Sequence, residues 1–157
     1  MDLVAVGVVA GVLGTLAMDV LNLLFARSGR ILKIDVAMIG RMAVGWTRGR
    51  FRYGDPSAMT QVANEKIYGY VTHYGIGIGL AIPFVGGWAL LGGWPPSPIW
   101  ALAYGAATTV ASWCFVYPSM GLGICGWRSP DGAKAIFSPL ANHLFYGVGL
   151  AVGIALM

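Results

Sequence analysis

Four long apolar runs dominate the chain and are separated by three more polar segments. The runs cover about residues 3–26, 67–91, 99–122 and 139–157. A helix rises about 1.5 Å per residue, so about 20 residues cross a hydrocarbon core of about 30 Å. Each run is near that length, and none alternates apolar with polar residues as a barrel strand does. The pattern predicts an all-α integral membrane four-helix bundle in a single domain.

The basic residues predict how these spans are oriented. All ten Lys and Arg residues lie within residues 27–66 and 128–134, on alternate loops, and residues 92–98 carry no charge. Lys and Arg concentrate in the cytoplasmic loops of membrane proteins. We therefore expect cytoplasmic loops at residues 27–66 and 123–138, a periplasmic loop at residues 92–98, and a bacterial inner-membrane protein with both termini periplasmic.

Composition excludes some classes of function. With 57% hydrophobic and 10% charged residues, the chain has no room for a soluble domain beside four spans. The net charge of +4 does not indicate nucleic-acid binding, because the basic residues flank the spans. Cys114 and Cys125 are interpreted as reduced, small, apolar-like side chains, since one falls within a span and the other in a cytoplasmic loop.

The first basic loop also carries an amphipathic pattern. Apolar residues recur at helical spacing at Ile31, Ile34, Met38, Met42 and Trp46. This spacing predicts a short helix lying in the membrane interface. Basic residues in and after it are expected to contact lipid phosphates or a partner protein, and they are Lys33, Arg41, Arg48, Arg50 and Arg52.

Prolines give the expected ends of several helices. Pro56 and Ser57 are predicted to open the second span's helix, with Ser57 as its cap. Pro118 is predicted to kink or stop the third span. Ser138 and Pro139 are predicted to be the N-cap and first helical residue of the fourth span.

An internal repeat is visible around the two histidines. When His73 is aligned with His143, Gly77 and Gly79 coincide with Gly147 and Gly149. This alignment predicts a tandem parallel repeat of two-helix units, related by an axis along the membrane normal. Small residues allow close helix contact, and we predict it at Gly11, Gly14, Gly77, Gly79, Gly147 and Gly149.

Five strongly polar residues lie within the predicted spans: Asp19, Asn22, His73, Asn142 and His143. Counted along the helices, Asp19, His73 and His143 lie about 6 to 10 Å from the cytoplasmic end, so they can share one layer. Such residues normally face the bundle interior or a water-filled cavity and find partners there. The layer is interpreted as helix-pairing hydrogen bonds, as a proton or ion site, or as a haem site with His73 and His143 as ligands.

Three functions are compatible with these features. The favoured hypothesis is a non-catalytic accessory subunit that packs against partner membrane helices. The alternative is a small oligomeric proton- or ion-coupled carrier that uses an Asp19–His73–His143 layer, and the third hypothesis is a bis-histidine haem protein. No catalytic or metal-ligand motif occurs in the sequence, so no catalytic residue or metal site is assigned and the cofactor is unknown. Expected partners are membrane lipids and either a membrane protein or further copies of the chain.

The whole chain resembles a family of small, uncharacterised bacterial inner-membrane proteins with four spans. The resemblance is carried by residues 14–19 (GTLAMD), residues 44–53 (VGWTRGRFRY), residues 73–74, and His143 with Gly147 and Gly149. Its most distinctive element is Gly49-Arg50-Phe51. It implies a four-span bacterial membrane protein and carries over no activity, cofactor or catalytic residue.

Overall fold

The computed structural model describes residues 2–157 and contains five helices. They are α1 (Leu3–Ala26), α2 (Val36–Thr47), α3 (Glu65–Leu90), α4 (Pro98–Ser119) and α5 (Ala133–Ala155). Two short 3-10 turns, Pro56–Ala58 and Ile124–Gly126, lie in the connections. Residues 2–157 include no strand. The prediction of an all-α bundle is therefore confirmed, and α1, α3, α4 and α5 are each long and apolar enough to cross a membrane.

Two predicted helix starts are wrong. Helix α5 begins six residues before Pro139, at Ala133, so Pro139 lies inside the helix. The Ser138 hydroxyl is not a cap, because it accepts a hydrogen bond from the Leu32 N–H at 2.8 Å. Pro56 opens only a 3-10 turn, where the Asp55 carboxylate rather than Ser57 accepts the capping bond.

The four long helices pack in the order α3, α1, α5, α4. Helix α1 contacts α3 on one side and α5 on the other, and α4 packs on α5. The contact between α1 and α5 is extensive, whereas α3 and α4 touch mainly through side chains near one end. The predicted repeat would relate the pair α1 and α3 to the pair α4 and α5. These contacts do not test that symmetry, and the repeat stays a prediction.

The two ends of the bundle differ in composition. We call the end that carries residues 88–100 the tryptophan end, and the end that carries residues 27–64 and 120–134 the basic end. At the tryptophan end the Tyr104 hydroxyl donates to the Leu80 carbonyl at 2.7 Å. The rings of Phe84 and Tyr104 stack at 4.6 Å, and Trp88 lies 5.5 Å from Trp100. These contacts join α3 to α4 at the tryptophan end.

At the basic end, α2 packs across the start of α3. The contact depends on two glycines, because a side chain at Gly40 would collide with the Glu65 backbone and one at Gly69 with the Val36 carbonyl. Helix α2 begins at Val36, later than the pattern predicted, and Ile31 and Ile34 lie in the irregular segment before it. Its position in a membrane interface stays a prediction.

Most of the predicted packing glycines lie at helix contacts. A methyl group at Gly11 would come within 2.6 Å of Ile78 Cα, and one at Gly147 within 2.9 Å of Leu102 Cα. Gly14 and Gly149 face each other across α1 and α5, and Gly77 packs against Thr15. Gly79 differs, because a methyl group there would meet nothing within 4 Å.

Candidate intramembrane site

A cluster of three polar side chains joins α1 to α3. His73 Nε2 lies 3.0 Å from Asp19 Oδ1, and the Tyr74 hydroxyl donates to Asp19 Oδ2 at 3.1 Å. When Asp19 is ionised, its carboxylate only accepts hydrogen bonds, and Nε2 of His73 then carries the hydrogen. The other ring nitrogen of His73, Nδ1, has no hydrogen-bond partner among residues 2–157. His73 therefore uses Nε2 for the hydrogen bond to Asp19, while Nδ1 is left to bind a proton.

His143, on α5, forms its hydrogen bonds with side chains of α4. The Thr108 hydroxyl donates to the Gly105 carbonyl at 2.6 Å, so toward His143 Nδ1, at 2.8 Å, it can only accept. Nδ1 therefore carries the hydrogen, and Nε2 accepts from the Ser112 hydroxyl at 2.9 Å. Both nitrogens of a neutral His143 are satisfied by α4.

A turn of π-helix in α4 accompanies this contact. Ser112–Val116 is π-helical, and the Tyr117 N–H bonds to the Ser112 carbonyl, five residues back. Pro118 has no N–H to donate to Cys114, which is consistent with a local change of register. Helix α4 ends at Ser119, one residue after Pro118, close to where the proline predicts its end.

Asn22 and Asn142 form a separate network nearer the basic end. The Asn22 amide donates to Asn142 Oδ1 and to the Leu32 carbonyl, each at 2.9 Å. Its oxygen accepts from the Ile34 N–H at 3.1 Å. With the bond from Leu32 to Ser138, this network draws the segment before α2 into the bundle.

A cavity of about 410 Å³ lies between α3 and α4 and extends to the basic end. Its inner part reaches Thr15 and Leu80, near the middle of the bundle, and its wall is mostly apolar. His73 and His143 both line it, on opposite helix pairs. The hydrogen bond and ring stacking between α3 and α4 lie at and beyond Leu80, on the side of the cavity toward the tryptophan end.

The part of the cavity toward the basic end is lined differently. Four methionines contribute to its wall: Met18, Met38, Met42 and Met120. Charged side chains line it closer to the loops, and these are Lys33, Asp35 and Asp131. A cavity of this volume is within the range of about 300 to 1,000 Å³ that is typical of small-molecule sites.

The structure divides the predicted polar layer into three groups. Asp19 meets His73, His143 pairs with α4, and Asn22 pairs with Asn142. Tyr74, Thr108 and Ser112 were not predicted to belong to the polar layer, and Ser138 was predicted only as a helix cap. Thr108 and Ser112 lie one helical turn apart on a predicted span. This spacing was the available signal that both could contact one side chain of a neighbouring helix, as they contact His143.

Haem ligation is not supported by these contacts. A bis-histidine site needs one free nitrogen on each ring directed at the iron. His143 uses both of its nitrogens, and the Nε2 atom of His73 is occupied by Asp19. Binding haem would therefore require the contacts of His143 with Thr108 or Ser112 to be broken.

The basic residues with a predicted lipid or partner role lie in different surroundings. Arg41 forms two hydrogen bonds to Glu65, at 2.7 and 2.9 Å. Arg48, Arg50 and Arg52 are exposed at and after the end of α2. Lys33 lines the cavity instead.

Four candidate spans around polar side chains that line a cavity define the class as a helical membrane protein. Residues 8–157 match the family described as a protein of unknown function, DUF2938. The chain belongs to this family, and the resemblance expected from the sequence is confirmed. Comparison with curated proteins and with solved structures gives no match.

Proposed function

We propose that this protein is a small proton-coupled carrier whose solute enters the cavity from the basic end. The observation that carries the proposal is the position of His73, which donates to Asp19 on α1 and also lines the cavity. A proton taken up at the open Nδ1 would leave an imidazolium paired with a carboxylate. Proton binding and cavity occupancy then depend on one side chain, which is the minimum that coupling requires.

The shape of the cavity supports a carrier that faces one side at a time. The Tyr104–Leu80 hydrogen bond and the stacked ring of Phe84 close the cavity at the tryptophan end, while it extends to the basic end. In alternating access, one set of helices moves against another around a fixed site near the middle of the membrane. Opening here would separate α3 from α4 at the tryptophan end.

The orientation of the chain follows from its charges. Nine of the ten Lys and Arg residues lie at the basic end, and the tenth, Lys66, is in the first turn of α3 beside it. We infer that this end is cytoplasmic, in a bacterial inner membrane. Both termini and residues 92–98 would then be periplasmic, and the described state is inward-facing.

Thiol labelling from each side of the membrane tests these proposals. In a variant with Cys114 and Cys125 replaced by Ala, single cysteines are placed at Ser97, Gly54 and Leu80, and intact cells are treated with a membrane-impermeant reagent. We expect Ser97→Cys to react from outside and Gly54→Cys only in inverted vesicles. Leu80→Cys should react from both sides, because a carrier exposes its cavity alternately.

The variant Asp19→Asn tests whether protonation of His73 is coupled to the side on which the cavity opens. This variant weakens the pairing with protonated His73, so the ratio of outside to inside labelling at Leu80→Cys should lose its pH dependence. His73→Gln, which still donates to Asp19 but cannot gain a proton, should have the same effect. Labelling of Leu80→Cys from one side only, at every pH, would contradict a carrier, and inverted labelling at Ser97 would contradict the orientation.

An accessory role is the second candidate, and the outer face of α3 favours it. Gly75, Gly79 and Gly87 lie four or eight residues apart, and a methyl group at any of them would meet nothing within 4 Å. Rows of small residues allow a second helix to approach closely in a membrane. The measurement that separates this role from the carrier is the mass and composition of the assembly in mild detergent.

A further inference from the structure

A second, smaller cleft lies outside the bundle, between the end of α2 and the segment that follows it. Its volume is about 190 Å³. Five of its lining residues carry polar side chains, and they are Arg41, Arg48, Arg50, Tyr53 and Thr60. The cleft shares no lining residue with the large cavity.

The charge of this cleft is unbalanced. Glu65 neutralises Arg41 through its two hydrogen bonds, and the bond to Glu65 is the main reason that the pKa of Arg41 is raised above its ordinary value. Arg48 and Arg50 have no acidic partner within 4 Å among residues 2–157. Two permanent positive charges therefore face the cleft without a counterion from the chain.

The local fold brings the two arginines to one cleft. The Arg50 guanidinium lies 5.4 Å from the centre of the Tyr53 ring, over its face. Tyr53 itself packs closely on Gly45, where a methyl group would come within 2.5 Å of the Tyr53 hydroxyl. A positive φ of 74° at Gly49 turns the chain between Arg48 and Arg50, so both side chains line one cleft.

The end of α2 does not need these guanidinium groups as caps. The Gly45 carbonyl accepts from the N–H groups of Arg48 and Arg50, at 3.0 and 2.9 Å. The Trp46 carbonyl accepts from the Gly49 N–H at 3.0 Å. Two of the last helical carbonyls are thus satisfied by the backbone and do not use the guanidinium hydrogens, which are left for a ligand.

The position of the cleft along the bundle follows from the ion pair between Arg41 and Glu65. Glu65 is the first residue of α3, the second candidate span, so the ion pair lies where that span begins. Lipid phosphates lie at this level of a bilayer, and basic pockets beside spans bind anionic headgroups. Planar guanidinium groups also match the geometry of phosphate oxygens.

We propose that the Arg48–Arg50 cleft is a phosphate-binding site, whose ligand is the headgroup of an anionic glycerophospholipid or a soluble phosphate. The inference is independent of the carrier, since neither His73 nor the large cavity takes part. It also assigns a physical role to the Gly49-Arg50 pair in the most distinctive element of the sequence.

Native mass spectrometry of the purified chain tests the proposal. The protein is mixed in detergent with phosphatidylglycerol or with zwitterionic phosphatidylcholine, and retained lipids are counted. Replacing both arginines (R48Q/R50Q) should lower the preference for phosphatidylglycerol about 30-fold, at about fivefold for each basic residue. The control R27Q/R30Q removes the same charge from the same loop outside the cleft and should keep the preference.

A second arm identifies the source of the phosphate. If inorganic phosphate at millimolar concentration does not displace phosphatidylglycerol, the ligand is a lipid headgroup. Binding of inorganic phosphate that R48Q/R50Q abolishes, without a lipid preference, indicates a soluble phosphate ligand. Equal lipid retention in both double variants, or no binding of either ligand by the unchanged protein, would overturn the proposal. The single variant Arg50→Gln, with an expected fivefold loss, keeps the test decisive if the double variant does not fold.

Discussion

At the scale of single residues, Asn22 connects more of the molecule than either histidine does. Its side chain bonds to α5 through Asn142 and to the backbone on both sides of Lys33. It is 3% exposed, so no solvent replaces these partners when they are lost. A buried polar group left without its partner costs about 1 to 3 kcal/mol.

We therefore expect Asn22→Ala to lower the free energy of unfolding by about 1 to 3 kcal/mol. Asn142→Ala should cost less, because it removes one bond of the three that Asn22 makes. Reversible unfolding in mixed micelles of a mild detergent and SDS measures both. The exposed Ser28→Ala is the control, and an Asn22→Ala variant as stable as this control would contradict the network.

At the scale of elements, close contact between helices depends on where a glycine lies and not on its presence alone. Gly11 in α1 faces the α3 backbone at Ile78, whereas a methyl group at Gly86 in α3 would meet nothing within 4 Å. The same substitution, glycine to alanine, should therefore have opposite effects at the two positions.

Gly11→Ala is expected to destabilise the protein by about 1 to 3 kcal/mol, because α1 and α3 must separate to admit the methyl group. Gly86→Ala should stabilise it by about 0.5 to 1 kcal/mol, since alanine loses less backbone freedom in a helix. Unfolding in the same mixed micelles compares the pair directly. Equal effects of the two substitutions would show that the contact between α1 and α3 is looser than described.

At the scale of the whole molecule, the helix order leaves α3 and α4 with large outward surfaces. Of the most apolar part of each span, 22% of residues in α3 and 17% in α4 are buried, against 50% in α5. The glycine row of α3 lies on such a surface, with Gly75 and Gly79 exposed. An assembly through α3 is therefore expected, with either a second copy or another membrane protein.

Gly79→Leu should break that assembly, since a leucine side chain would hold the second helix away from α3. Native mass spectrometry in mild detergent should show a shift of the assembly to single chains. The matched control is Ala107→Leu, which adds bulk at an exposed small residue of α4. A single chain before any substitution, or equal loss of assembly in both variants, would rule out association through this row.

Most of the helix bounds and the class of this protein can be predicted from its sequence. The apolar runs placed α1 at its observed bounds and α3 and α4 to within three residues, because spanning a membrane requires length and continuous apolarity that a sequence displays directly. The start of α5 was missed, because Pro139 is tolerated inside the helix while Ser138 is committed to Leu32. Family membership followed from local motifs.

Which polar residues meet could not be predicted, because it depends on how the helices pack. Asp19, His73 and His143 have similar depths in the sequence, yet rotation about each helix axis brings Asp19 to His73 and turns His143 toward α4. Those rotations, the cavity between α3 and α4, and the cleft after α2 depend on contacts between residues far apart in the chain. The depth of a residue can be counted along its own helix. The neighbour that its side chain faces depends on how the helices pack.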